Sequence, residues 1–223
     1  MEKNTETSLI KTTVVNRCFW IILIVSSLVL IFGVLSRFSI FNIWDDAFMF
    51  VRYADNLMKY GKLSWNPGME PSYGLTSILY LIVITPIRIL TSNNPALTAM
   101  LSSMLCGFLF IGLSILLVFK YIKATPTIKY SLVLLTLISL ALANEHLSAH
   151  FCSGMDTTFA MSYITLYLII AIAFERSSSL KTGITLGIIG GLAFSVRPDI
   201  MLFSYIVPFS IILFAREALT WQG

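Results

Sequence analysis

Residues 80–90 read YLIVITPIRIL, and the topology of the whole chain turns on whether this apolar run crosses a bilayer. The surrounding sequence is oily. Of 223 residues, 57% are hydrophobic and only 12% are charged, with a mean hydropathy of +0.86. A soluble domain carries about 25% charged residues. This is the composition of a membrane protein, in which length counts spans rather than globular domains. Apolar runs that cross or nearly cross a bilayer cover 19–36, 75–91, 97–119, 130–144, 157–174, 183–196 and 200–215. Lipid offers the backbone no hydrogen bonds, so these runs are expected to be helices and not strands.

Charge decides which of the runs cross. Lys3, Lys11 and Arg17 precede the first run and put the N-terminus in the cytoplasm. The connection 120–129 holds Lys120, Lys123 and Lys129 with no acid, so it belongs on the same side. Glu175, Arg176 and Lys181 mark a third connection there. With all seven runs crossing, 120–129 would fall outside. The conflict disappears if 75–91 does not cross. That run is short and holds Pro86 and Arg88, and it reads as an interfacial or re-entrant helix on the outer side.

The expected fold is therefore an all-α polytopic membrane protein. It has about six transmembrane helices plus outward-facing juxtamembrane helices at 45–60 and 75–91. Residues 1–18 form a cytoplasmic tail, 19–215 a single transmembrane module with an extracytoplasmic loop at 37–96, and 216–223 a short, truncated-looking tail. No small-x-small cleavage site follows the first run, which reads as an uncleaved anchor. The net charge of +4 comes from basic residues at span ends and does not indicate nucleic acid. The three cysteines have no framework or metal spacing and read as buried small hydrophobes.

Just after the first run stands WDDAFMFVRYADNL (44–57), with two adjacent carboxylates, an arginine and a third carboxylate. As a helix over 45–60, it gathers Ala47, Phe50, Val51, Ala54, Leu57 and Met58 on one stripe. Asp45, Arg52, Asp55 or Asn56, and Lys59 fall on the other side. Arg52 is expected to pair with Asp45 or Asp55, or to bind substrate. Gly61 is the natural C-terminal stop. Asp45 and Asp46 sit at the positive end of the helix dipole, which favours ionised carboxylates. Ordinary N-capping accounts for one such Asp. A pair at the mouth of a membrane bundle points further, to a general base or a metal ligand. The following loop carries Trp65, Asn66, Glu70 and Tyr73 among turn residues, and reads either as an interfacial aromatic belt or as the cap of a site.

Four blocks in order, Asp45-Asp46-Ala47-Phe48, Tyr53-Ala54-Asp55-Asn56-Leu57, Trp65-Asn66-Pro67-Gly68 and Tyr73-Gly74-Leu75-Thr76-Ser77, resemble the first extracytoplasmic loop of lipid-linked glycosyltransferases of the GT-C superfamily. The closest likeness is to the branch that includes the mycobacterial arabinofuranosyltransferases. SGMDTTF (153–159) and GLAFSVRPDIMLF (191–203) resemble two later family segments, with Asp156 and Asp199 where relatives carry Glu. Pro71-Ser72-Tyr73 stands where relatives often have Glu-Gly-Tyr, with Glu70 one residue earlier. Family members are usually longer, and the likeness is to the N-terminal catalytic module alone.

The resemblance implies transfer of a sugar from a polyprenyl-phosphate donor to a cell-envelope glycan, lipid or protein acceptor on the outer face of the bacterial cytoplasmic membrane. Asp45 or Asp46 is the expected base, and the two are not separable by sequence. The same pair can hold a divalent cation, Mg or Mn, and the family divides on metal use. Arg197 is expected on the donor phosphate or paired with Asp199. Arg52, Tyr53, Trp65, Asn66, Glu70, Tyr73, His150, Asp156 and Asp199 complete the expected substrate surroundings. His146 and His150, at i and i+4, have a spacing that can share a metal, though the HExxH order is absent. Two rival classes remain, a transporter or lipid flippase and a non-catalytic truncated scaffold. A transporter predicts charges buried mid-span, whereas these cluster at one end.

Overall fold

The computed structural model describes residues 43–121 except 68, 73, 92 and 93, and residues 144–214 except 178. Isolated positions at 21, 25, 28, 32, 36 and 133 are also described, all helical. The expected tails at 1–18 and 216–223, most of the runs 19–36 and 130–144, and the connection from 122 to 129 lie outside the described residues. All regular structure among the described residues is helical: α1 (Ala47–Tyr60), α2 (Leu81–Leu90), α3 (Pro95–Tyr121), α4 (Asn144–Cys152), α5 (Thr157–Ser177), α6 (Leu180–Val196) and α7 (Ile200–Phe214).

α1 starts differently from the expected capped helix. Trp44, Asp45 and Asp46 form a tight turn in which Ala47 N donates to Trp44 O (2.9 Å) and Phe48 N to Asp45 O (3.1 Å). Asp46 occupies the cap position with helical dihedrals, and its carboxylate accepts no cap hydrogen bond. The backbone satisfies the first turn by itself, so both carboxylates are left exposed. The other end is as expected: Gly61 adopts φ 65° and its N–H returns to Leu57 O (2.9 Å).

The buried face of α1 holds Ala47, Phe50, Val51 and Ala54 as the periodicity predicts, together with Tyr53 and Asn56. Leu57 is only half-buried and Met58 is exposed. The shift has a cause. The 61–76 loop folds back over the Tyr53–Asn56 side of α1 and removes it from solvent, as described below.

α2 has 10 residues, about 15 Å of helix against a hydrocarbon core of about 30 Å. It is too short to cross. Leu81 and Ile84 pack against α1, and the Phe50 and Tyr80 rings meet edge-to-face at 5.1 Å. Arg88 forks onto Asp55 of α1 through Nε (2.7 Å) and Nη2 (3.2 Å). In sequence Arg88 is only a charge that interrupts an apolar run; a partner 33 residues away satisfies it.

α3 and α5 are long and apolar enough to cross a membrane, and they make the most extensive helix–helix contact. Small hydroxyl residues line their seam. Thr158 Oγ1 donates to Ser103 O (2.8 Å) and Ser162 Oγ to Cys106 O (2.6 Å). Such residues let backbones approach closely and supply cross-helix hydrogen bonds where lipid supplies none. α6 and α7 pack onto α5, with Tyr167 Oη donating to Ser204 O (2.7 Å) and the Tyr163 hydroxyl to Ile189 O. At 17 and 15 residues they are shorter than the two long helices. The segment that leads into α5 contains α4, whose Phe151 ring lies against Gly107 of α3. Cys106 and Cys152 are buried, as small hydrophobes should be.

Candidate functional site

Three connections of the described chain meet at one end of the helices. The first is the 61–80 segment. Asn56 Nδ2 donates to Ser64 O (2.7 Å) and Trp65 O (3.1 Å). Arg52 Nε donates to Trp65 O (2.8 Å) and Nη2 to Asn66 Oδ1 (3.1 Å), and its guanidinium lies 4.4 Å from the centre of the Trp65 ring. Tyr53 Oη donates to Ser72 O (2.8 Å) and accepts from Gly74 N (3.1 Å). Arg52 thus pairs with neither Asp45 nor Asp55. Arg52, Tyr53, Trp65 and Asn66, all expected near substrate, are used here to hold the loop onto α1. Leu79 N donates to Ser195 O (3.0 Å) and ties the far end of the segment to α6. Glu70 is exposed at the loop's edge, and Tyr73 lies outside the described residues.

One prediction follows from this clamp. Tyr53→Phe removes the hydroxyl's hydrogen bonds to the loop while keeping the buried ring. It should cost about 1 kcal/mol, because the freed Ser72 and Gly74 groups are exposed and can turn to water. Limited proteolysis should then cut the 61–76 loop several-fold faster with the helices still protected. An unchanged cleavage rate would show that the clamp does not hold the loop.

The second and third connections, 153–156 and 197–199, bring Asp156, Arg197 and Asp199 together. Arg197 Nε donates to Asp199 Oδ1 (3.1 Å), and Arg197 Nη1 lies 3.8 Å from Asp156 Oδ1. Asp199 is 67% exposed, Arg197 36% and Asp156 only 3%. Burial pushes the Asp156 carboxyl above the usual carboxylate range against the pull of Arg197 and its own backbone, and Asp199 adds to the rise. Asp156 Oδ2 is buried with no hydrogen-bond partner, as is the Ser77 hydroxyl, which lies near enough to favour the ionised form without completing a hydrogen bond. Tyr80 closes this side: burial holds its phenol well above its ordinary range, Cys106 and Asp156 adding to the effect, and it donates to Gly154 O (3.3 Å).

Asp45 and Asp46 approach this cluster through the backbone. Trp44 N donates to Ser153 O (3.0 Å), three residues before Asp156. The Trp44 ring leans on His150 at 5.6 Å, and His150 Nδ1 is buried without a partner. Asp45 and Asp46 are exposed and make no side-chain hydrogen bond or ion pair among the described residues. Two such carboxylates suit a cation that is held by one or two carboxylates plus phosphate oxygens and water. No group of three or more His, Cys, Asp or Glu gathers among the described residues.

The sequence by itself assigns no site role to Ser77, Tyr80, Trp44 or Asn56. Each is an ordinary residue in sequence and matters only through a partner that folding brings to it. Two clues did exist: Trp44 adjoins the paired aspartates, and Ser77 ends the last block of the loop. No protein-family model matches this chain, and neither a curated protein nor a solved structure matches it significantly.

Proposed function

We propose that this chain transfers a sugar from a polyprenyl-phosphate donor to an acceptor hydroxyl at the outer face of a bacterial cytoplasmic membrane. In this reading the chain crosses about six times, through the runs 19–36 and 130–144 together with α3, α5, α6 and α7, and its N-terminus is cytoplasmic. The supporting observation is one juxtaposition. Arg197, held between a buried and an exposed carboxylate, shares an end of the helices with the segment to which Trp44, beside Asp45 and Asp46, is hydrogen-bonded.

The chemistry needs two parts. The acceptor oxygen attacks the anomeric carbon as its proton passes to Asp45 or Asp46. The bond from that carbon to the phosphate oxygen breaks, and polyprenyl phosphate leaves with an added negative charge. Arg197 stabilises that charge, since its permanently charged fork suits phosphate oxygens. Asp45 and Asp46 would hold a Mg or Mn ion, which would neutralise phosphate charge when bound. The loop that Arg52, Tyr53 and Asn56 fasten would exclude water from the reacting atoms.

Membrane vesicles carrying Arg197→Ala and given a radiolabelled prenyl-phosphate sugar should transfer it about 10²–10³-fold more slowly. Arg197→Lys should fall between, because it keeps the charge and loses the fork. Transfer by Arg197→Ala at the parental rate would remove Arg197 from the reaction.

A further inference from the structure

Two carboxylates converge on the Arg197 guanidinium, and they are not equivalent. Asp199 is largely in solvent and takes a direct hydrogen bond from Nε. Asp156 is buried, its Oδ1 stands 3.8 Å from Nη1, too far for a hydrogen bond, and its Oδ2 has no donor. Arg197 and Asp199, from the connection between α6 and α7, are the charged groups that act on Asp156. The Tyr80 phenol, at the start of α2, and the Ser77 hydroxyl complete its polar surroundings. With both acids ionised, this cluster already carries one negative charge more than positive. A bound anion would make the excess two, next to a desolvated carboxylate.

We propose that binding of a phosphodiester anion at Arg197 takes up one proton from solvent, and that the buried carboxylate of Asp156 receives it. The inference rests on the reading of Arg197 as the phosphate grip. The other members of the cluster cannot relieve the charge. Arginine is already protonated and stays so. Asp199 is exposed, so water already screens its charge. The Tyr80 phenol is already neutral, held so by burial. A neutral carboxyl costs far less to bury than a carboxylate. Once protonated, the carboxyl becomes a donor, and the unpartnered Ser77 hydroxyl beside it can accept.

The sign follows from linkage. A bound anion raises the affinity of Asp156 for its proton above that in the empty site. Anion affinity is then highest at low pH and falls as pH rises from the Asp156 pKa of the empty site toward that of the occupied one. For one proton the slope is at most about tenfold per pH unit. The probe must not titrate itself. A phosphomonoester loses its second proton near pH 6, whereas a diester stays a monoanion throughout.

The test uses the full chain in lipid nanodiscs, with methyl farnesyl phosphate as probe and farnesol as control, from about pH 5 to about pH 8. Wild-type affinity for the diester should rise about 10²-fold on acidification, and calorimetry in two buffers of different ionisation enthalpy should report uptake that peaks near one proton. Asp156→Asn should bind equally well at both ends of the range, while Asp199→Asn keeps the slope. The same slope in Asp156→Asn and wild type would overturn the assignment to Asp156. Absence of proton uptake by the wild type would overturn the coupling, and this measurement decides alone if Asp156→Asn fails to fold. Binding by Arg197→Ala that matches wild type would sink the phosphate grip and the inference with it. Equal affinity of the wild type for diester and farnesol would do the same.

Discussion

Asp45→Asn and Asp46→Asn, made separately, should lower sugar transfer by about 10²–10⁴-fold in whichever variant loses the base. The expected loss is chemical rather than structural. Neither carboxylate caps α1, because the backbone of residues 44–49 closes the first turn alone. Neither makes a side-chain hydrogen bond or ion pair among the described residues, and both are exposed. Asparagine keeps the shape and removes the negative charge. Both variants should therefore insert and melt like the parent. A large loss in one variant alone assigns the base. Similar losses in both would point to the pair acting together, as cation ligands do. The measurement is the surface glycan of cells carrying each variant in an otherwise intact locus. An unaltered glycan, with both proteins folded and in the membrane, would remove sugar transfer as the function.

Gly154→Ala should destabilise the helical assembly by about 2–5 kcal/mol, the sum of a left-handed backbone penalty and overpacking. Gly154 adopts φ +78°, a region that side chains avoid. A Cβ there would stand 2.7 Å from Ala99 Cβ and 2.8 Å from Ala47 Cβ, so α1, α3 and the 153–156 connection would have to part. The same residue donates to Ser103 Oγ (3.1 Å) and accepts from Tyr80. Separation at this point would also pull on Trp44, which is hydrogen-bonded to the adjoining Ser153, and on Asp156, two residues along the chain. Gly61→Ala is the control, with φ +65° and nothing within 4 Å of its Cβ. It should lose only the backbone term, about 1 kcal/mol. Equal shifts in melting temperature at the two positions would show that the contacts with Ala47 and Ala99 carry no weight.

The reading of residues 80–90 shows how far local pattern reaches. Pro86, Arg88 and the lysines of 120–129 argued that this run does not cross, and α2 ends after 10 residues. The short helix agrees with that expectation, because helix length is a local property. α1 was legible for the same reason, from its apolar spacing and Gly61. How its first turn is satisfied was not legible, since whether a carboxylate or the backbone does so depends on dihedral choices that composition does not encode. Its buried face was only partly right, since the covering loop arrives from 61–76.

The substrate-facing expectations divide the same way. Asp156, Arg197 and Asp199 were each singled out, and they do come together. Arg52, Tyr53, Trp65 and Asn66 were also singled out, and they fasten a loop. By itself the sequence determined an all-helical, apolar chain with its polar residues between the runs, because hydropathy and helical period are written in consecutive residues. Only the tertiary structure decided which charges meet: Arg88 with Asp55 across 33 residues, Arg197 with the buried Asp156 as well as its neighbour Asp199. A long-range ion pair leaves no period in the chain, and its partner is chosen by how the helices pack. The unpartnered carboxylate oxygen of Asp156 follows from burial, which is a property of the assembled helices and not of any one segment.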